Sequence, residues 1–410
     1  MRRTLVLLHR WAGLFTAVFL FVSGLTGAII SWDHELDEAV NPHLFHANSG
    51  GKGEVLSGLA LADHLEKSDP RLRVGFVSLA TEPGHTHVIG VDAKVDPATD
   101  KLYPLDFNQV AIDPVTREVQ GKRFWGAVSL ARENLLPFLY RLHYTMHIPH
   151  GWGYDIGMIF MGIVAIVWTV DAFIALWISF PNRKTWRKSF AFRLRDGGYK
   201  LNFDLHRSGG VWAWGLLFVL GVTAISMNLN REVMRPLVSV FSDLTPSPFA
   251  SRVMQPEDKP IEPTLTRAEA IALATAAAPK HGITAPVGGV FYAESFGVFG
   301  VGFYEPGLDH GDGGLGNPWL YFDGKTGEPA GTLIPGEGSF GDLFMQAQFP
   351  IHSGRIFGVP GRVIISFLGL VVAMLSVTGI VIWAKKRRAR VLQTKRAESV
   401  RFAGSPVPRT

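Results

Sequence analysis

The sequence predicts a membrane α-helical fold: four transmembrane helices in a parallel internal repeat, with two exported α+β domains. Three observations predict it. Four long stretches are nearly free of charge, Lys and Arg cluster beside them in a consistent pattern, and one motif recurs in both halves of the chain. The stretches are Leu14–Ile30, Ile156–Phe180, Val211–Met227 and Val363–Trp383. With their flanks, each approaches the ~20 apolar residues that span a ~30 Å hydrocarbon core. Buried helices of soluble proteins are shorter or amphipathic. Hydrophobic residues make up 47% of the chain and charged residues 18%. A greasy soluble protein reaches such averages too, so the distribution along the chain decides.

The first stretch follows Arg2 and Arg3, as a signal peptide would. It is long and aromatic-rich, however, and runs into Ser31, Trp32 and Asp33, not a small-x-small cleavage site. A retained helix is expected. Orientation follows from the basic residues, which stay on the cytoplasmic side. Arg2, Arg3 and Arg10 precede the first helix. Arg183, Lys184, Arg187, Lys188, Arg193, Arg195 and Lys200 follow the second, and Lys385, Lys386, Arg387, Arg388 and Arg390 follow the fourth. A chain crossing four times puts all three clusters on one side. The expected organisation is helix 1 over 1–32, an exported segment over 33–150 and helix 2 over 151–181. A cytoplasmic basic loop (182–205), helix 3 (206–228), a second exported segment (229–355), helix 4 (356–384) and a cytoplasmic basic tail (385–410) complete it. The basic tail suits anionic lipid headgroups and topology anchoring, not nucleic acid.

The repeat is read from the helix starts. His9-Arg10-Trp11-Ala12-Gly13 is matched by His206-Arg207-Ser208-Gly209-Gly210, and Gly24 and Thr26 by Gly221 and Thr223. The approaches to helices 2 and 4 also correspond: Leu142-His143 with Gly153 and Gly157, then Ile351-His352 with Gly358 and Gly361. Each copy crosses twice, so the two share one orientation. In the exported segments, Thr264 or Thr266 can cap an Ala-rich helix that ends before Gly282. Strands are expected within Gly289–Tyr304, at Trp319–Asp323 and at Gln109–Asp113, and a weaker helix over Leu56–Glu66. The Gly- and Asp-rich loop Glu305–Pro318 reads as flexible, with a ligand cover as the other reading.

Several histidines are expected at the membrane faces. His9 and His206 lie at the cytoplasmic ends of helices 1 and 3. Each has a glycine one turn on, Gly13 and Gly210, which opens space on the same face for something flat and bulky. His143, His147 and His352 are expected at the outer ends of helices 2 and 4, with His143 and His147 on one face at i,i+4. A neutral imidazole is a common axial ligand of haem iron, and bundle cores host cofactors between facing helices. The repeat then suggests two pairs, His9 with His206 and His143 or His147 with His352. Those four positions, His9, His206, His143 and His352, are the candidate haem-iron ligands. Two haems at two depths would form an electron path. The bland alternative is that such histidines cap helices or bond headgroups. His150 is a weaker candidate. Arg355 and Arg362 flank the outer site and can hold haem propionates or an anionic substrate, or snorkel. Asp171, an acid inside a span, is expected to pair with Arg10 or Arg207, or to move protons. His85 and His87 alternate on an expected strand and can share a metal. His34, His43 and His46 carry no signal alone.

Cysteine is absent, which removes disulfides, thiolate metal sites, a Cys nucleophile and covalent c-type haem attachment. No convincing Gly-x-Gly-x-x-Gly follows a strand and no P-loop occurs. Any electrons therefore come from a membrane quinol or a separate reductase.

The chain resembles the PepSY-associated transmembrane family, which includes iron-regulated inner-membrane proteins and ferric-siderophore reductases. The resemblance rests on His9-Arg10 with Gly13, Leu142-His143, Leu205-His206-Arg207 with Gly210, the run Ile351-His352-Ser353-Gly354-Arg355-Ile356-Phe357-Gly358-Val359-Pro360-Gly361-Arg362, and Val377-Thr378-Gly379 before Trp383. It covers nearly the whole chain up to about Arg390. It implies PepSY-like periplasmic domains, b-type haem, a bacterial inner-membrane location and electron delivery to periplasmic ferric siderophores. One departure stands out: His147-Ile148-Pro149-His150 replaces a Gly-Arg run. Two other readings remain open. PepSY-like domains can bind peptides or a protease, with the helices only an anchor, or the protein can import a siderophore or metal.

Overall fold

The computed structural model describes residues 1–309, 311 and 313–403, with side chains to 396. The end of the expected basic tail lies outside the described residues. In chain order the helices and strands are α1 (Arg2–Ile30), α2 (Asp33–Val40), α3 (Pro42–Phe45), α4 (Gly58–Ser68), β1 (Leu72–Ser78), β2 (His87–Ala93), β3 (Val95–Asp96), β4 (Lys101–Leu102), β5 (Gln109–Ile112), β6 (Val119–Arg123), α5 (Leu135–Thr145), α6 (Ile156–Ser179) and α7 (Gly198–Asn228). There follow α8 (Arg235–Ser239), α9 (Arg267–Ala277), β7 (Val287–Ala293), β8 (Val298–Phe303), β9 (Trp319–Asp323), β10 (Pro329–Leu333), α10 (Phe340–Ser353) and α11 (Gly358–Ala403). Among the described residues, four helices are long and apolar enough to cross a membrane: α1, α6, α7 and the segment Arg355–Arg396.

The chain divides into two compact units. One is the membrane unit, Met1–Ile29, Leu142–Leu229 and the chain from Ile364; the other is Ile30–Arg141 with Asn230–Val363.

Lipid gives helices no hydrophobic reason to associate, so membrane helices pack through small residues and polar contacts. The membrane unit follows this rule. Gly24 of α1 meets the backbone of α11, where a Cβ would stand 2.6 Å from the Gly369 carbonyl oxygen. Ser366 Oγ donates to the Ala28 carbonyl beside this crossing (3.1 Å). Gly221 of α7 likewise leaves room for Thr169 of α6, and Gly162 for Leu229. Trp214 Nε1 donates to Ala172 O (2.9 Å), and the Asn228 amide donates to Tyr144 O and Met158 O.

Two helix boundaries differ from expectation. α7 begins at Gly198, so the last turns of the expected loop are helical. The cause is Asp204, fully buried, whose carboxylate accepts from the Arg193 backbone N–H and guanidinium at 2.7–3.0 Å. Burial of that neutralised carboxylate holds the polar turns against the loop. α11 continues past Trp383 into the basic tail, whose Lys and Arg are good helix formers.

The second unit is built on an eight-stranded antiparallel sheet, in the order β10-β9-β8-β7-β1-β2-β5-β6. Sequence led us to expect a separate domain from each exported segment. Instead β1 pairs with β7, Phe76 opposite Phe291 and Ser78 opposite Gly289, and one sheet takes four strands from each segment. α4 and α9 pack on it over one continuous core with Leu61, Leu65, Ala270, Ala274, Ile89 and Phe299. Each fully buried large side chain contributes about 1.5–3 kcal/mol, so the shared core couples the stability of the two segments. The expected helix caps and strand turns are present. Thr266 closes a capping box with Glu269. Asp113 and Asp323 end β5 and β9 with the same turn: each Oδ1 accepts from the backbone N–H groups two and three residues on. The residue closing that turn has positive φ in both, Arg117 (65°) and Gly327 (75°).

Candidate functional site: histidines of the membrane unit

His9 sits seven residues into α1 and His206 eight into α7, the latter farther inside its helix than expected. Their rings lie together, centroids 6.1 Å apart and planes tilted by 46°. Each ring is oriented through Nδ1. His9 Nδ1 lies 2.8 Å from Asp171 Oδ2 of α6. His206 Nδ1 lies 3.0 Å from the Leu375 carbonyl oxygen and 3.2 Å from Thr378 Oγ1, both on α11. Carboxylate and carbonyl oxygens only accept, so the proton sits on Nδ1 and the Nε2 lone pair points elsewhere. Asp171 thus pairs with His9, not with Arg10 or Arg207 as expected. The aligned imidazole gives one carboxylate oxygen, Oδ2, its partner without desolvating an arginine.

His143 lies on α5, a helix of its own, not on the outer end of helix 2. Its Nδ1 is 2.9 Å from Ser23 O and 3.1 Å from Thr26 Oγ1 of α1, while Ser23 Oγ donates to the His143 carbonyl (3.1 Å). This setting has the same plan as that of His206. In each, a carbonyl at one position and a Thr hydroxyl three residues on meet Nδ1, and a glycine one residue further faces the ring. A Cβ on Gly27 would stand 2.9 Å from His143 Cε1, and one on Gly379 2.9 Å from His206 Cε1. The sequence motif Val377-Thr378-Gly379 is therefore a histidine cradle, repeated as Leu25-Thr26-Gly27. His9 and Gly27 are eighteen residues apart on α1, so the two cradled sites are separated by about 27 Å along the helix.

His147 does not share the face of His143. α5 stops at Thr145, and Met146 and His147 both take left-handed φ (53° and 52°). This breaks the i,i+4 relation. His150 is exposed and pairs with Asp155 (3.1 Å). Where a Cβ is added, Gly13 meets nothing within 4 Å and Gly210 only Leu375 at 3.7 Å, so both leave space beside the His9 and His206 rings' own helices. Two buried donors next in sequence to these histidines, Arg10 Nε and Arg207 Nε, have no hydrogen-bond partner among the described residues, and neither does Asp171 Oδ1.

The remaining candidates belong to the sheet unit. His352 lies near the end of α10, which stops at left-handed Gly354. Gly354 and Gly361 approach so closely that a Cβ on either would run into the other's backbone, which explains the glycines of that long motif. Arg355 and Arg362 are buried and engaged. Arg355 is 3.4 Å from Asp33; Arg362 pairs with Glu35 (2.6 Å), donates to Ser31 O (2.7 Å) and stacks over Trp32. These bonds hold the Glu35 carboxyl below its ordinary value, the Arg362 hydrogen bond being the largest cause. His85 and His87 do not share a site. His87 is buried against Ser78 O and Thr81, and burial pushes its imidazole down. His85 faces Glu38, Glu82 and His46.

Four apolar helices and one antiparallel sheet unit define a multi-pass membrane protein. The profile described as "PepSY-associated TM region" matches residues 6–386, and the chain belongs to that family. No curated protein matches it.

Proposed function

We propose that the protein is a haem-b transmembrane electron-transfer protein that reduces ferric siderophores. It lies in a bacterial inner membrane with both termini cytoplasmic and the sheet unit periplasmic, its two halves a parallel repeat. The observation that carries this reading is the anchoring of His9, His206 and His143 through Nδ1 at two levels of one helix unit. Ligating histidines characteristically donate their second ring N–H to a carboxylate or carbonyl, which fixes the ring and raises its basicity. The donor set also suits the group. The His9 and His206 rings stand with centroids 6.1 Å apart, so both imidazoles would be available to hold one haem iron.

When bound, haem supplies a one-electron Fe(III)/Fe(II) couple. His9 and His206 would hold it at the cytoplasmic level, with Asp171 fixing one ring and Leu375 O with Thr378 the other. The orphaned Nε–H groups of Arg10 and Arg207 suit propionate carboxylates. His143 would serve the outer level, with His147 as a neighbour. Gly13 and Gly210 keep side chains out of the space beside the inner pair. Each ferric siderophore takes up one electron and becomes ferrous, a state that hydroxamate oxygens hold poorly. Electrons enter from quinol or a separate reductase.

The test uses proteoliposomes with the donor on the cytoplasmic face and a ferric hydroxamate with a ferrous chelator on the other. Ferrous chelate should form with wild-type protein and not with His206→Ala. Reduced, haem-loaded protein that ferric hydroxamate does not reoxidise would refute the reading.

A further inference from the structure

Two histidines far apart in sequence meet on the sheet unit. His46 follows α3 and His85 precedes β2; they form an isolated antiparallel bridge. Backbone bonds on both sides pin it, Ala47 N to Gly84 O (2.9 Å) and Thr86 N to Phe45 O (2.8 Å). Directly opposed residues of such a bridge share a face, and the two imidazoles stack with centroids 4.9 Å apart. Glu38 of α2 completes the group. Its Oε1 lies 3.2 Å from His46 Nε2 and 3.4 Å from His85 Nε2. On the far side of the same ring, His85 Nδ1 lies 3.1 Å from Glu82 Oε2.

Both nitrogens of His85 thus face carboxylate oxygens. A neutral imidazole carries one N–H. If Nδ1 donates to Glu82, the Nε2 lone pair meets an acceptor, and a positive centre between them removes the repulsion. Donors about 2.0–2.2 Å from a tetrahedral ion stand roughly 3.3–3.5 Å from one another, and the two distances from Glu38 Oε1, 3.2 and 3.4 Å, are close to that. The three donor atoms all lie within 4.8 Å of one another.

We propose that Glu38, His46 and His85 bind a divalent first-row transition cation, with zinc(II) as the ion the spacing favours. Glu82 orients His85 through Nδ1, as the outer carboxylate of a metal–histidine pair. Three protein donors leave a fourth position for water or an exogenous ligand. His46 is half exposed, which gives the ion a path in. The site is independent of the haem reading, since none of its residues belongs to the membrane unit.

The experiment is zinc(II) uptake by the detergent-purified full chain after stripping with a chelator, measured by equilibrium dialysis and elemental analysis. One zinc per chain is expected, with a raised melting temperature. Glu38→Gln, His46→Ala and His85→Ala should each weaken uptake at least tenfold. Glu82→Gln should weaken it ten- to hundredfold, with the metal-free melting temperature unmoved. Glu38→Gln changes no volume, so it reads the site even if a histidine variant folds poorly. No uptake by the wild type, or uptake unaltered in Glu38→Gln and His85→Ala, would overturn the assignment.

Discussion

His9 and His206 are the same residue in the same motif, yet they are held differently. His9 leans on a carboxylate, Asp171, at 2.8 Å; His206 leans on a backbone carbonyl and a threonine hydroxyl, with Gly379 against its ring. His143 is held like His206, not like His9. The neutral cradle is thus used at both levels of the unit, and of these three histidines His9 alone has the carboxylate partner. A carboxylate makes an imidazole a stronger donor than a carbonyl does. The difference teaches that the inner pair is electrically asymmetric by construction, while the glycine cradles are matters of shape.

The sharpest way to break the comparison is to fill the cradles. Gly379→Val and Gly27→Val would each drive a side chain into an imidazole. Each should lose one of two haems, read as haem per chain. Retention of both haems in both variants would mean that the glycines only let helices pack. Next in size is Asp171→Asn. It should weaken haem retention ten- to hundredfold against a competing apo-globin. It should also raise the midpoint potential, because a negative charge that favours the ferric state is gone. Thr378→Val, which removes only a neutral contact, should change retention less than tenfold.

The two sheet turns extend the comparison outside the membrane. Burial works to raise the Asp323 carboxyl, but the Thr326 and Lys325 N–H groups and the Arg252 guanidinium outweigh it and bring it down to about 2. Its stabilisation is present in full above the unfolded value of ~4 and is lost as pH falls through about 2. Asp323→Asn should therefore cost about 1 kcal/mol at neutral pH once solvent screening is discounted, and progressively less as pH falls through about 2, read from thermal midpoints. The smallest effect belongs to the first turn, where Arg117 occupies the left-handed position that Gly327 fills in the second. Arg117→Gly should stabilise by less than about 1 kcal/mol.

Much of this architecture was legible because it rests on local rules. Charge-free length marked the four spans, Thr266 its helix start, and Trp319–Asp323 its strand. The cradled histidines were legible as residues, but not the settings that hold them. Asp171 is 162 residues from His9, and arginines looked its natural partners by charge alone. The break after Thr145 was hidden because nothing before Pro149 interrupts the helical pattern. The joining of two segments through β1 and β7 could not be read either, since strand periodicity fixes which face is buried, not which strand lies beside it. His46 lacked a signal for the same reason: its meaning comes from a bridge to His85.

The central claim is that the oriented imidazoles hold haem, and an optical spectrum of the detergent-purified protein tests it most directly. Oxidised and dithionite-reduced samples should give a low-spin b-type spectrum with two haems per chain, and His206→Ala should lose one of them. A colourless protein from haem-replete cells, or a spectrum indifferent to His206→Ala, would contradict it.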